Sequence, residues 1–254
     1  MSDHRAGLQK RRNFLNTSRT ANENGNQSGL RPFPRSWIVA PLMLLLILLV
    51  MEGSNIDRDV SRWFYSAATR SFPWRHEFLF DTVLHHWAKY AVILVTCLAA
   101  VMTSLTWIVP RLRPRRAQLL FVVLAMTLAP ATVTAMKLVT DRPCPWDLVD
   151  FGGNARYTRL FQPRNFPHTP GQCFPAGHAS TGFALMAFYF AAFRERRYAL
   201  ARTMLPAGVV AGLLLGVSRI AQGAHFLSHV LWAGLICWLV MLLLHVAIPA
   251  RAHT

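Results

Sequence analysis

Charge is scarce in this chain. Asp, Glu, Lys and Arg make up 15% of its 254 residues, against roughly 25% in ordinary globular proteins. That shortage excludes most soluble readings. Acidic residues are the scarcer sign, 11 against 27 Lys and Arg, which leaves a formal +16 at pH 7. In a soluble domain such an excess would point to nucleic acid. Apolar residues are abundant at 53%, which excludes disorder for most of the chain. In a hydrophobic chain the same excess reads as charge that sets orientation beside a bilayer.

Six apolar stretches are legible, running roughly over 37–51, 87–109, 117–138, 177–193, 203–217 and 226–248. The longer ones reach the ~20 residues that cross ~30 Å of hydrocarbon as helix. The expected fold is therefore all-α, a polytopic membrane bundle of six helices spanning 37–250. Residues 1–36, rich in Asn, Ser, Gly and Arg, read as a disordered basic tail. The first stretch lacks a small-residue cleavage pattern after it and is not a signal peptide. Residues 55–86 are polar with interleaved aromatics and read as an interfacial amphipathic segment. His85 and His86 open the second stretch near the interface and read as amphipathic anchors.

Six crossings put both termini on one side. That side carries 16 Lys and Arg with three acids, and the other carries 11 with eight acids. The positive-inside rule makes the termini cytoplasmic. The excess then marks topology and contact with anionic phospholipid at the cytoplasmic face, not nucleic acid.

On the opposite side four polar clusters fall at span ends: Lys137 with Arg142, Gly177 with His178, Ser218 with Arg219, and His225 with His229. A phosphate dianion needs fixed positive charge, and an Arg fork suits two of its oxygens. Backbone N–H groups around Gly177 would point out of a helix N-terminus. Two histidines can divide phosphoryl transfer between a nucleophile and a general acid. The competing reading is a metal held by His178, His225 and His229, since the last two are one helical turn apart. Three cations around a divalent ion argue against it.

The run Lys137-Leu-Val-Thr-Asp-Arg142-Pro143, then Pro175-Ala176-Gly177-His178, then Ser218-Arg219 with His225 and His229 resembles the three motifs of the type-2 phosphatidic acid phosphatase (PAP2) superfamily over residues 137–234. The resemblance implies a metal-independent, cofactor-free lipid phosphatase working through a phosphohistidine. His225 would attack, His178 would serve as general acid, and Lys137, Arg142, Arg219 and Gly177 would hold phosphate. Transfer to a second lipid, or a weakened relative that only binds phospholipid, are the alternatives. Three positions depart from the family pattern. Cys144 stands where an Arg is usual, Ala176 replaces a Ser, and His229 replaces the Asp that orients the nucleophile. His229, Asp147 or Asp150 is the candidate substitute. Cys144 and Cys173 lie in one loop on the oxidising side and are expected to form a disulfide. The resulting picture is a bacterial inner-membrane enzyme with a periplasmic site. The oligomeric state is open.

Overall fold

A computed structural model of the chain describes residues 34–163 and 171–248. Most of the tail expected to be disordered, and the loop residues Arg164, Asn165 and His168, lie outside the described residues. The chain divides into a unit of residues 1–39 and a unit of residues 40–254. All side-chain geometry below belongs to the second.

Eight α-helices are described: α1 Ser36–Gly53, α2 Ile56–Arg62, α3 Ala88–Ile108, α4 Arg116–Val139, α5 Gly177–Phe183, α6 Ala187–Arg194, α7 Tyr198–Ala221 and α8 Leu227–Ala247. Among the described residues there are isolated bridges but no strand. Five segments are long and apolar enough to cross a membrane: Ser36–Gly53, Leu79–Ile108, Pro110–Val139, Tyr198–Ala221 and Leu227–Ala247. Their windows are between 17% and 39% buried, so most of their apolar surface faces outward, as lipid contact requires.

The fourth expected crossing is not one continuous helix. α5 and α6 are joined by a 3₁₀ turn at Ala184–Met186. The cause is local. Ser180 and Thr181 turn their hydroxyls back onto the carbonyl of Gly177, which loosens a helix. The piece is also among the most buried in the bundle, with Ala179, Gly182, Phe183, Ala184, Ala187 and Phe190 enclosed. Its small residues lower its hydropathy and allow close approach to α7. A Cβ on Gly182 would come within 2.7 Å of the Ala211 backbone. Gly208, Gly212 and Gly216 continue that seam: added carbons there would strike Met186, Phe183 and Val230. The stripe packs α7 inside the bundle, and Arg219 follows it on the next turn.

The second crossing starts earlier than the hydropathy suggests. Leu79–Trp87 is a π-helix running directly into α3. His85 and His86 therefore sit within a continuous helix instead of opening it. The rest of the interfacial segment is α2, a turn, and a 3₁₀ helix at Pro73–His76. It packs with the 144–157 loop around Phe72, Leu148, Phe151 and Phe226. Arg58 pairs with Asp150 at 3.5 Å and lies over the Tyr157 ring. This small second core caps the end of the bundle where α4, α5, α7 and α8 meet.

Candidate functional site

Main-chain bonds stitch the three motif segments together. Arg142 N–H donates to Gly171 O at 3.2 Å, and Cys173 N–H to Arg142 O at 3.0 Å. Ala176 N–H donates to His229 O at 3.1 Å, and Trp146 N–H to Gly223 O at 3.0 Å. α4 stops at Val139, just before Pro143 and Pro145, which cannot continue a helix. Its last turn carries Lys137, whose stem runs 3.8 Å from where a Gly177 Cβ would lie. The α8 N-terminus is fixed in trans: Asp57 of α2 accepts from Ser228 N–H at 2.8 Å and from the Ser228 hydroxyl. Burial raises the Asp57 carboxyl above its usual range, against the lowering by those two bonds. The short loop between α7 and α8, held this way, carries His225.

His225 and His229 are almost wholly buried, at 5% and 7% exposure, with ring centroids 6.0 Å apart. His229 does not hydrogen-bond to His225; its Nδ1–H donates to the carbonyl of Cys173 at 3.1 Å. Cys173 also reaches His225, its Sγ lying 3.6 Å from Nδ1. Asp147 and Asp150 are occupied elsewhere. Asp147 accepts from Cys144 N–H at 3.0 Å, and Asp150 faces Arg58 and Arg62. Neither substitutes for the missing carboxylate. What flanks the pair is residue 173, and Cys173 is joined to Cys144 by a disulfide across 29 positions. Burial first, then the charges of His229, Lys137 and Arg219, hold His225 well below the usual imidazole range. It is therefore neutral at pH 7. Ligand atoms of Cys173, His225 and His229 lie within 4.8 Å of one another, but the sulfur is bonded to Cys144. As a disulfide it offers no thiolate, and two imidazoles make a poor metal site.

Three cations surround this pair at different distances from readiness. Lys137 is half-buried and within electrostatic reach of Arg219. Arg219 donates through Nη1 to Gln222 Oε1 at 2.6 Å. Its Nε is buried and has no hydrogen-bond partner among the described residues. An unmet buried donor of this kind costs stability unless a ligand satisfies it. Arg142 is differently placed. Its Nη atoms donate to the carbonyls of Asp141 at 2.8 Å, Gln162 at 2.9 Å and Leu160. The described donors of Arg142 thus clamp the loop, while its charge is still felt at His229.

His178, one residue into α5, donates through Nε2–H to the carbonyl of His85 at 3.2 Å. Its ring meets that of His85 edge-on, with centroids 4.0 Å apart. The π-helix thus forms a wall of the site that the sequence reading had assigned to the interface. Arg75, Trp146 and Gln222 were missed too. Arg75 lies 4.3 Å over the Trp146 ring, Arg219 5.9 Å from its centroid, and Gln222 Nε2 donates to Arg75 O. Only Gln222 carried a signal, its three-residue helical spacing from Arg219. The others reach the site by tertiary folding.

Comparison with known proteins gives a family and a similar sequence. A family model described as the PAP2 superfamily matches residues 118–252. The chain is similar to a lipid A 4'-phosphatase of Francisella tularensis subsp. novicida, 27% identical over 195 residues, covering 73% of this chain and 82% of the relative. No solved structure matches.

Proposed function

The chain belongs to the PAP2 superfamily, and from that membership we propose that it is an integral membrane phosphatase acting on a lipid phosphate through a phosphohistidine. The observation that carries the reading is a buried neutral imidazole, His225, beside Lys137 and Arg219, with the Arg219 Nε donor unmet. A phosphate between those groups would satisfy the donor and neutralise the charges. His225 attacks phosphorus through the ring nitrogen turned away from Cys173. Once a bound phosphate dianion favours its protonated form, His178 gives its Nδ1 proton to the departing alkoxide, and the carbonyl of His85 keeps Nε2–H in place. Water then attacks phospho-His225, His178 takes its proton, and inorganic phosphate leaves. Lys137, Arg219 and the charge of Arg142 stabilise the equatorial oxygens throughout. In this reading no metal takes part.

The site lies at the bundle end opposite the Arg-rich turns at 111–116 and 194–197. With cytoplasmic termini it faces the periplasm of a bacterial inner membrane, where a head group in the outer leaflet can reach it. The relative's name puts lipid A first among substrates to be tried, followed by phosphatidylglycerophosphate, phosphatidic acid and undecaprenyl diphosphate. The test is phosphate release by the purified full chain from this panel, with vanadate and with EDTA. Vanadate-sensitive release that survives EDTA is expected. Release abolished by EDTA overturns the metal-free mechanism, and no release from any lipid overturns the phosphatase reading.

A further inference from the structure

A second cluster of ligating side chains lies beside His178, on the π-helix. Asp81, His85 and His86 each offer one ligand atom, and these atoms all lie within 4.8 Å of one another. The helix type is the reason. A turn closed by i→i+5 bonds brings positions 85 and 86 both alongside position 81, whereas an α-helix would favour 85 alone. Asp81 Oδ1 is 3.3 Å from His85 Nδ1, and the two imidazole centroids are 4.5 Å apart. An ordinary i,i+4 ion pair would account for His85 and leave His86 unexplained. Unlike the buried pair, this cluster is open: the Asp81 side chain is 41% exposed and that of His85 is 23% exposed. A hydrated cation can enter by displacing the single Asp81–His85 contact.

We propose that Asp81, His85 and His86 form an accessory site for a borderline divalent cation of the Zn²⁺ class. Two imidazoles and one carboxylate are the three-ligand set that leaves a coordination position open. Nitrogen donors disfavour Mg²⁺ and Ca²⁺, which prefer oxygen. The neighbours give the ion a consequence. Arg219 is close enough to influence both Asp81 and His85, and a cation there is repelled by it. A phosphate bound at Arg219 reverses the sign. Cation and phosphate therefore bind together more tightly than either alone, and linkage requires the two enhancements to be equal. His85 also holds His178 through its carbonyl, so the ion stiffens the helix that supports the proposed acid. The coupling rests on the phosphatase reading; the cation site itself does not.

The experiment uses the full chain in detergent, without a polyhistidine tag and stripped with EDTA, titrated with Co²⁺. Saturable d–d absorption with one ion per chain is expected, displaced by Zn²⁺. His86→Ala and Asp81→Asn each remove a ligand. Both should weaken Co²⁺ by more than the ~10–100-fold that loss of an outer-shell partner costs. His86 is exposed, so its variant keeps the fold; an unchanged melting profile verifies this. Absence of saturable Co²⁺ binding overturns the site. So does binding that persists in both variants, or that is lost in His229→Ala and kept in His86→Ala, which would put the ion on the buried pair. Inorganic phosphate should tighten Co²⁺ in the parent protein and not in Arg219→Gln. Equal tightening in Arg219→Gln overturns the coupling and leaves the site standing. A protein that binds Co²⁺ yet hydrolyses none of the lipids separates failure of the phosphatase reading from failure of this one.

Discussion

The two histidine clusters are built in opposite ways. His225 and His229 are buried, and the Cys144–Cys173 disulfide anchors the residue that flanks them. Asp81, His85 and His86 stand on a partly exposed helical face and owe their convergence to one irregular turn. Burial strips the first pair of water and keeps it neutral, which suits a nucleophile. Partial exposure leaves the second cluster accessible, which would suit an exchangeable ion. The same residue type would thus serve two purposes, and its surroundings would make the difference.

Substitution should expose this contrast most sharply. His225→Ala is expected to lower phosphate release by about 10⁴-fold or more, as loss of a nucleophile does in other covalent enzymes. His178→Ala should likewise abolish turnover. His86→Ala should change EDTA-treated turnover by less than about threefold, because it touches nothing that reacts. Single-turnover phosphate release measures all three. Full retention in His225→Ala would end the proposed mechanism.

The disulfide gives a smaller effect confined to the buried side. Reduction, or Cys144→Ser with Cys173→Ser, releases the segment whose carbonyl holds His229. The chain-entropy model assigns about 3–4 kcal/mol to a loop of this length, readable as a lowered midpoint in denaturant. Turnover should fall more in kcat than in KM, since Lys137 and Arg219 lie on α4 and α7, away from the disulfide, and only Arg142 is tied to the Cys173 segment. Co²⁺ binding at the open cluster should be unmoved; a parallel loss there would show that the two regions are not independent.

Removing the α8 cap comes next. Asp57→Ala takes both bonds from Ser228 and should cost about 1–2 kcal/mol in the same denaturant measurement.

The pH response is the finest discriminator. His225 in the folded protein titrates well below an unfolded histidine, at about 6.5. Below pH ~6.5 the unfolded chain binds a proton there that the folded chain does not, so stability falls as pH falls. Melting temperature should decline from pH 7 to pH 5, and His225→Phe should flatten part of that slope. An equal slope in both proteins would mean that His225 is not held neutral.

Much of this was legible before folding. The apolar stretches near 117–138 and 226–248 became α4 and α8 with ends within two residues, because lipid-facing helices must be apolar along their whole length. The fourth stretch was found but its break was not, since side-chain bonds back to Gly177 leave no mark in hydropathy. Lys137, His178, Arg219, His225 and His229 were singled out by their position at span ends, and the structure gathers them at one end of the bundle. Arg142 was singled out on the same ground, and its Nη atoms donate to loop carbonyls. Nothing in the sequence tells which of the two arginines has its Nη donors tied to loop carbonyls.

The sequence by itself determined an all-helical membrane bundle and which residues could carry phosphoryl chemistry, because hydropathy and residue type are local properties. It did not determine what surrounds them. The placement of Cys173 against both buried histidines, the grip of Asp57 on the first turn of α8, and the meeting of His85 with His178 join positions 52 to 171 residues apart. Such contacts follow from how helices pack and where loops close, so only the tertiary structure could decide them.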